Sequence, residues 1–322
     1  MSRSIMRILM TPSILLAAGV CACSSSTSPN ALGPGAITAT IPVPGGTYGI
    51  DVSSTGVVYA TVATSSHLVR ISLSTLSLVD TVAVGGVPTG VAFSPDGGTA
   101  YVTNQFSGTL GVVNVASDSQ LATVAVNAMP FVTMPSPDGS RVIVTGNNDS
   151  IFVVDPGTKS VVASLHVGAA PNGLAFNAAG TRVYVSNYGD GTVAEVNPAT
   201  PAVLRTFTTG GAPQGLVLSA DGGELYIANQ DGWLEVRSVA SGARIDSVPL
   251  GAQAFGIARS PDNRLLYVGL YQVGKVMIVD RATHQVIDSL ATGGSPRRIA
   301  FTADGKHAVI ANNSGWVDVV TR

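Results

Sequence analysis

From about residue 36 to the end of the chain, Val, Ile, Leu and Tyr gather in short runs separated by clusters of Gly, Pro, Asp, Asn and Ser. Apolar runs this brief, rich in β-branched residues and bounded by turn formers, predict strands rather than helices. The pattern is periodic. Segments resembling Ser-Pro-Asp-Gly begin at Ser53, Ser94, Ser136, Asn177, Ser219, Ser260 and Thr302, with separations of 41, 42, 41, 42, 41 and 42 residues. Each follows a small-residue turn such as Gly85-Gly86-Val87-Pro88 and precedes a strand such as Tyr101-Val102-Thr103-Asn104. A third strand (Phe152 to Asp155, Met277 to Asp280) and a fourth (Val161 to Val167, Val286 to Thr292) complete the unit. The last turn position is Gly in six copies and Asn263 in one, which predicts a backbone with positive φ.

Four strands per repeat with no helix between them make an antiparallel blade. Seven such blades predict an all-β, seven-bladed β-propeller of four-stranded antiparallel blades. The seventh unit stops at its third strand, Trp316 to Val320, and the missing fourth matches Ile37 to Val43 at the other end. Pairing these segments closes the ring and removes two exposed edges. A β-solenoid, the rival architecture, needs no complementing N-terminal strand. The expected organisation is a signal peptide over 1–22, a flexible tether over 23–35 and the propeller over 36–322.

Composition narrows the function classes. Charged residues are 11% of the 322, against roughly 25% in ordinary soluble domains. With 45% hydrophobic residues, 37 Gly and 18 Pro, the chain is neither disordered nor mainly helical. The formal net charge of −2 leaves no basic footprint, so nucleic acid is not an expected partner.

The N-terminus reads as an export address. Arg3 and Arg7 precede a short apolar stretch, Ile8 to Val20, too brief to span a bilayer and shaped like a secretory signal. The only two cysteines, Cys21 and Cys23, follow it. Val20-Cys21-Ala22-Cys23 resembles a bacterial lipobox with Cys23 as the acylated residue. An ordinary signal-peptidase site before Cys23 is the alternative. The expected location is the cell envelope, lipid-anchored at the outer membrane or on the periplasmic side, or else secreted.

The combination of Tyr-Val-Thr-Asn on the second strand with Ser-Pro-Asp-Gly before it resembles the YVTN β-propeller family over residues 36–322. Trp-Asp does not end the third strands, where Val154-Asp155 and Val279-Asp280 stand instead, so WD repeats are a poorer match. The resemblance implies a fold shared by surface-layer proteins, lactonase-like and lyase-like enzymes and haem propellers. Membership is therefore compatible with catalysis without requiring it. No CxxCH occurs, which excludes a c-type covalent haem.

Seven internal copies offer a comparison within one chain. At the entrance to the first strand the repeat carries Tyr48, Thr89, Phe131, Asn172, Gln214, Phe255 and Arg297. The next position is Gly in five copies, Val132 in one and Arg298 in the last. Arg297-Arg298 is the sharpest departure, and two guanidiniums at a funnel rim suit a carboxylate or phosphate. Solvation, or pairing with Asp231 or Asp51, is the plainer reading. Tyr48, Phe131 and Phe255 offer stacking surfaces, and Asn172 and Gln214 offer amides. Phe106, Tyr188, Trp233, Tyr271 and Trp316 belong to the same face. Packing between blades is the plainer role for any of these aromatics.

His67, His166, His284 and His307 fall on different blades and faces, so no metal site is expected, and no cofactor. The recurring Asn104, Asn187, Asn229 and Asn312 read as caps of their own turns. No Gly-x-Ser-x-Gly elbow and no Ser–His–acid trio can be placed. The reading is an extracytoplasmic, monomeric module binding a protein, a peptide or a small envelope ligand at its channel-entry face. The alternative is a lactonase-like or lyase-like enzyme using the arginine pair to hold an anion.

Overall fold

The computed structural model describes Met1 and residues 32–322. Seven four-stranded antiparallel sheets stand around a central channel, each built from strands consecutive in the sequence except the last. Blade 1 runs Thr47–Val52, Val58–Val62, His67–Ser72 and Ser77–Ala83 from the axis outward. Blade 7 combines Pro296–Phe301, His307–Asn312 and Trp316–Thr321 with Ala36–Pro42 as its outermost strand. The expected closure is therefore present. Ile37 faces Val320 and Thr40 faces Asp318 across the seam, and Thr40 Oγ1 donates to Asp318 Oδ1 at 2.8 Å. Before the closing strand, Arg322 donates to the carbonyls of Leu32 and Gly33. Among the described residues, no helix is long and apolar enough to cross a membrane.

Apolar side chains pack between neighbouring sheets. Ile41 and Val43 join Val58, Val69, Val309 and Val317 in the core that bridges blades 7 and 1. The Ser-Pro-Asp-Gly turns form one face of the ring. Their last residue has φ between 68° and 85° at the six glycines and 59° at Asn263, as the residue choice predicts. The leading serine closes the turn: Ser94 Oγ donates to Asp96 and accepts from the amide of Thr99.

The opposite face carries the links between blades. There the recurring asparagines do more than cap their own turns. Asn229 donates to the carbonyl of Gly210 and accepts from the amides of Ala212 and Asp231, so one amide ties turn to incoming link. Asn312 does the same for Gly293, Ser295 and Ser314.

One feature recurs in every innermost strand and is invisible in the apolar pattern. The ladder shifts register just after the strand begins, between Pro88 and Gly90, for example, and between Pro296 and Ile299. Such bulges re-aim side chains. In blades 1 to 4 the bulge amide is taken by a hydroxyl on the second strand, at Thr61, Thr103, Thr145 and Ser186. Ala228, Gly269 and Ala311 stand at this place in blades 5 to 7 and offer no hydroxyl.

Candidate functional site at the channel mouth

A bulge stands at the entrance of each innermost strand, and what gathers at the mouth follows from which residue each blade supplies there. Tyr48, Phe131, Asn172, Gln214, Phe255 and Arg297 line one cavity of about 370 Å³ at the blade-link face, with Met129, Tyr188, Gln105, Asn147 and Gln230 around its rim. Six of the seven sequence candidates thus share one site.

Arg297 is its chemical centre. The guanidinium carbon lies 4.3 Å from the ring centre of Tyr271, 4.9 Å from that of Phe255 and 5.2 Å from that of Tyr48. Tyr48 in turn meets Phe131 and Phe255 edge-on, at 5.4 and 5.7 Å. Arg297 Nε is buried and has no hydrogen-bond partner among the described residues. Among the described residues no Asp or Glu lines the mouth. Burial pushes the Tyr48 hydroxyl pKa up, against the opposing pull of both arginines, and so favours the neutral phenol.

Arg298 is not at the rim with its neighbour. It lies beneath the mouth, where its Nη2 donates to Asn172 Oδ1 at 3.2 Å and its guanidinium carbon sits 5.3 Å from the Phe255 ring centre. Asn172 passes the contact on to Gln214. Blades 7, 4 and 5 are joined in this way by a polar crossbar that forms the floor of the mouth. Neither arginine forms an ion pair with Asp231 or Asp51. Both arginines are half-buried along the channel.

The channel continues below. A waist of about 170 Å³ contains Arg298 and Asp51. A wider bowl of about 530 Å³ follows at the Ser-Pro-Asp-Gly face, lined by Pro95, Met134, Pro137, Phe176 and Leu218 with Arg259. Asp51 accepts from the amides of Val52 (2.8 Å) and Phe93 (3.0 Å), yet burial raises its carboxyl pKa to about 6.

Comparison with known proteins agrees on the architecture. The family model described as the cytochrome D1 heme domain matches residues 185–312. The structure titled Kuenenia stuttgartiensis Hydrazine Synthase superposes with a TM-score of 0.80 at 20% identity, covering 87% of this chain and 96% of that chain. The chain shares a propeller fold with it. No curated protein matches the chain.

Some of the remaining expectations were met by position and others were not. Tyr188 lines the mouth and Tyr271 stacks beneath Arg297, whereas Phe106 is 82% exposed and stands clear of the cavity. Trp233 and Trp316 do not line it either. Among the described residues no three His, Cys, Asp or Glu side chains converge as metal ligands. Cys23, Cys21 and the signal segment lie outside the described residues. Gln105, Asn147 and Gln230 were missed, although each follows the recurring asparagine position and differs from blade to blade.

Proposed function

We propose that the protein is a binding module whose channel mouth takes a small organic anion with an apolar or aromatic body. The observation that carries this reading is Arg297, a cation set among three rings with a buried, unpartnered Nε and no acidic residue in the cavity. A carboxylate would supply the missing acceptor, and the rings of Tyr48, Phe131 and Phe255 would cover its body. A cavity of about 370 Å³ is at the small end of ligand pockets, which fits a compact ligand.

The lactonase-like or lyase-like alternative needs several titratable groups converging on one point. The mouth supplies arginine, a neutral tyrosine and amides, which favours binding over turnover. The partial match to a heme domain raises haem as a ligand. The side chains that commonly hold haem iron are His, Cys, Met and Tyr. None of the four histidines lines the mouth, Tyr48 is held as a phenol between rings, and Met129 and Tyr188 are half exposed at the rim. These residues do not fit a haem iron site.

Titration calorimetry with benzoate and with benzyl alcohol tests the reading. Benzoate is expected to bind, and Arg297→Gln to weaken it about tenfold or more, the magnitude of a lost charge-assisted hydrogen bond. Equal binding of the neutral alcohol, or an unaffected variant, would overturn it.

The YVTN-type repeat and the lipobox-like Val20-Cys21-Ala22-Cys23 support an exported, envelope-located module anchored through Cys23. In a Gram-negative host, labelled palmitate should enter the wild-type chain and not Cys23→Ser, which should partition with soluble protein. Labelling that survives this change and disappears in Cys21→Ser would move the anchor.

A further inference from the structure

The waist beneath the crossbar holds two charged groups, and the other blades do without a charge at either position. Asp51 occupies a repeat position filled by Ala92, Met134, Ala175, Val217, Ala258 and Ala300 in the other blades. Arg298 occupies one filled by glycine in five blades and by Val132 in the sixth. They come from adjacent blades, 1 and 7, and line the same cavity without forming an ion pair. The rest of the wall includes Ile50, Val91, Leu174, Leu216, Ile257 and Ile299.

Each charge is left short of partners. Arg298 uses one of its five N–H donors, on Asn172. Asp51 has two backbone amides and no cation. A charge partly withdrawn from water without its counterpart is costly, and two opposite charges lining one chamber without pairing are complementary to a ligand carrying both. A simple anion would answer Arg298 but face Asp51. A simple cation would do the reverse.

We infer that the waist is a binding site for a small zwitterion, an α-amino acid or a betaine, with its carboxylate on Arg298 and its ammonium on Asp51. The size agrees, since about 170 Å³ equals the space of about six waters at roughly 30 Å³ each. Access is from the Ser-Pro-Asp-Gly face. Waist and bowl share Met134, Leu174 and Leu216, whereas waist and mouth share no lining residue and the crossbar lies between them. This site is therefore separate from the anion site proposed above.

The test is titration calorimetry on the full chain with L-alanine, L-proline and glycine betaine, against propionate and propylammonium. At least one zwitterion is expected to bind about tenfold or more tightly than either single-charge analogue. Asp51→Ala and Arg298→Gly install residues that the repeat itself uses at these positions, and each is expected to weaken zwitterion binding about tenfold or more. Asp51→Asn and Arg298→Met, which keep the volume, serve if either of the first pair fails to fold. Absence of binding by all three zwitterions, binding of propionate as tight as theirs, or a folded Asp51 variant with unchanged affinity would each overturn the assignment.

Discussion

At the scale of single residues, Asp51 shows how a side chain departs from its repeat and what that does to stability. Its carboxyl titrates near 6 in the folded chain because burial penalises the charged form, against 3.8 as a reference. The native state therefore holds the proton more tightly than the unfolded state, and stability falls as pH rises from about 4 to about 6. Two pH units correspond to at most about 3 kcal/mol. Melting followed across this window should show that decline in the wild type, and Asp51→Ala should lose this component and melt higher at pH 7. An Asp51→Ala profile with the same slope would place the titrating group elsewhere. Arg298, the other charge at the waist, remains protonated throughout, although burial lowers its pKa.

Within an element, one turn position holds a different kind of information. Asn263 takes the place of the turn glycine at φ 59°, a backbone that glycine would adopt freely. Replacing it with glycine should nonetheless destabilise the protein. Asn263 Oδ1 accepts from the amide of Ala220 at 3.0 Å and from Arg259 Nη1 at 3.2 Å, joining the turns of blades 5 and 6. Loss of both bonds should cost about 1–2 kcal/mol, read as a lower melting temperature, and an unchanged or raised value would show that the backbone preference dominates. The conformation of this turn was legible in the sequence because it is local. Its bridge to the next blade was not, because Ala220 and Asn263 are neighbours only after the ring forms. The asparagine at the end of the second strand repeats the lesson: capping was legible, while the hold of Asn229 on the link at Gly210 and Ala212 depends on the blade's position in the ring.

For the whole molecule, closure is the determining event. The strand Ala36–Pro42 covers the edge of Trp316–Thr321 and places Ile41, 2% exposed, in the core shared by blades 7 and 1. A chain beginning at residue 44 loses this strand, and the burial of Ile41 alone is a contribution of about 1.5–3 kcal/mol. It should melt at a lower temperature and self-associate through the bared edge on size-exclusion chromatography. A truncated chain that stays monomeric with unchanged melting would show that the seam is dispensable.

The sequence by itself determined the number of blades, the strand count in each and the identity of the closing strand, because these follow from a local pattern copied at intervals of 41 or 42 residues. The same comparison of copies singled out Tyr48, Phe131, Asn172, Gln214, Phe255 and Arg297, all of which meet at the mouth. Only the tertiary structure separated Arg297 from Arg298. Adjacent in the chain, they are sent to different levels of the channel by a bulge that no apolar period records. It alone brought Asp51 and Arg298 to the lining of one cavity, because positions nearly the whole chain apart come to share the channel when the last blade docks on the first. Depth along an axis, and with it which cavity a charge lines, is a property of the assembled ring.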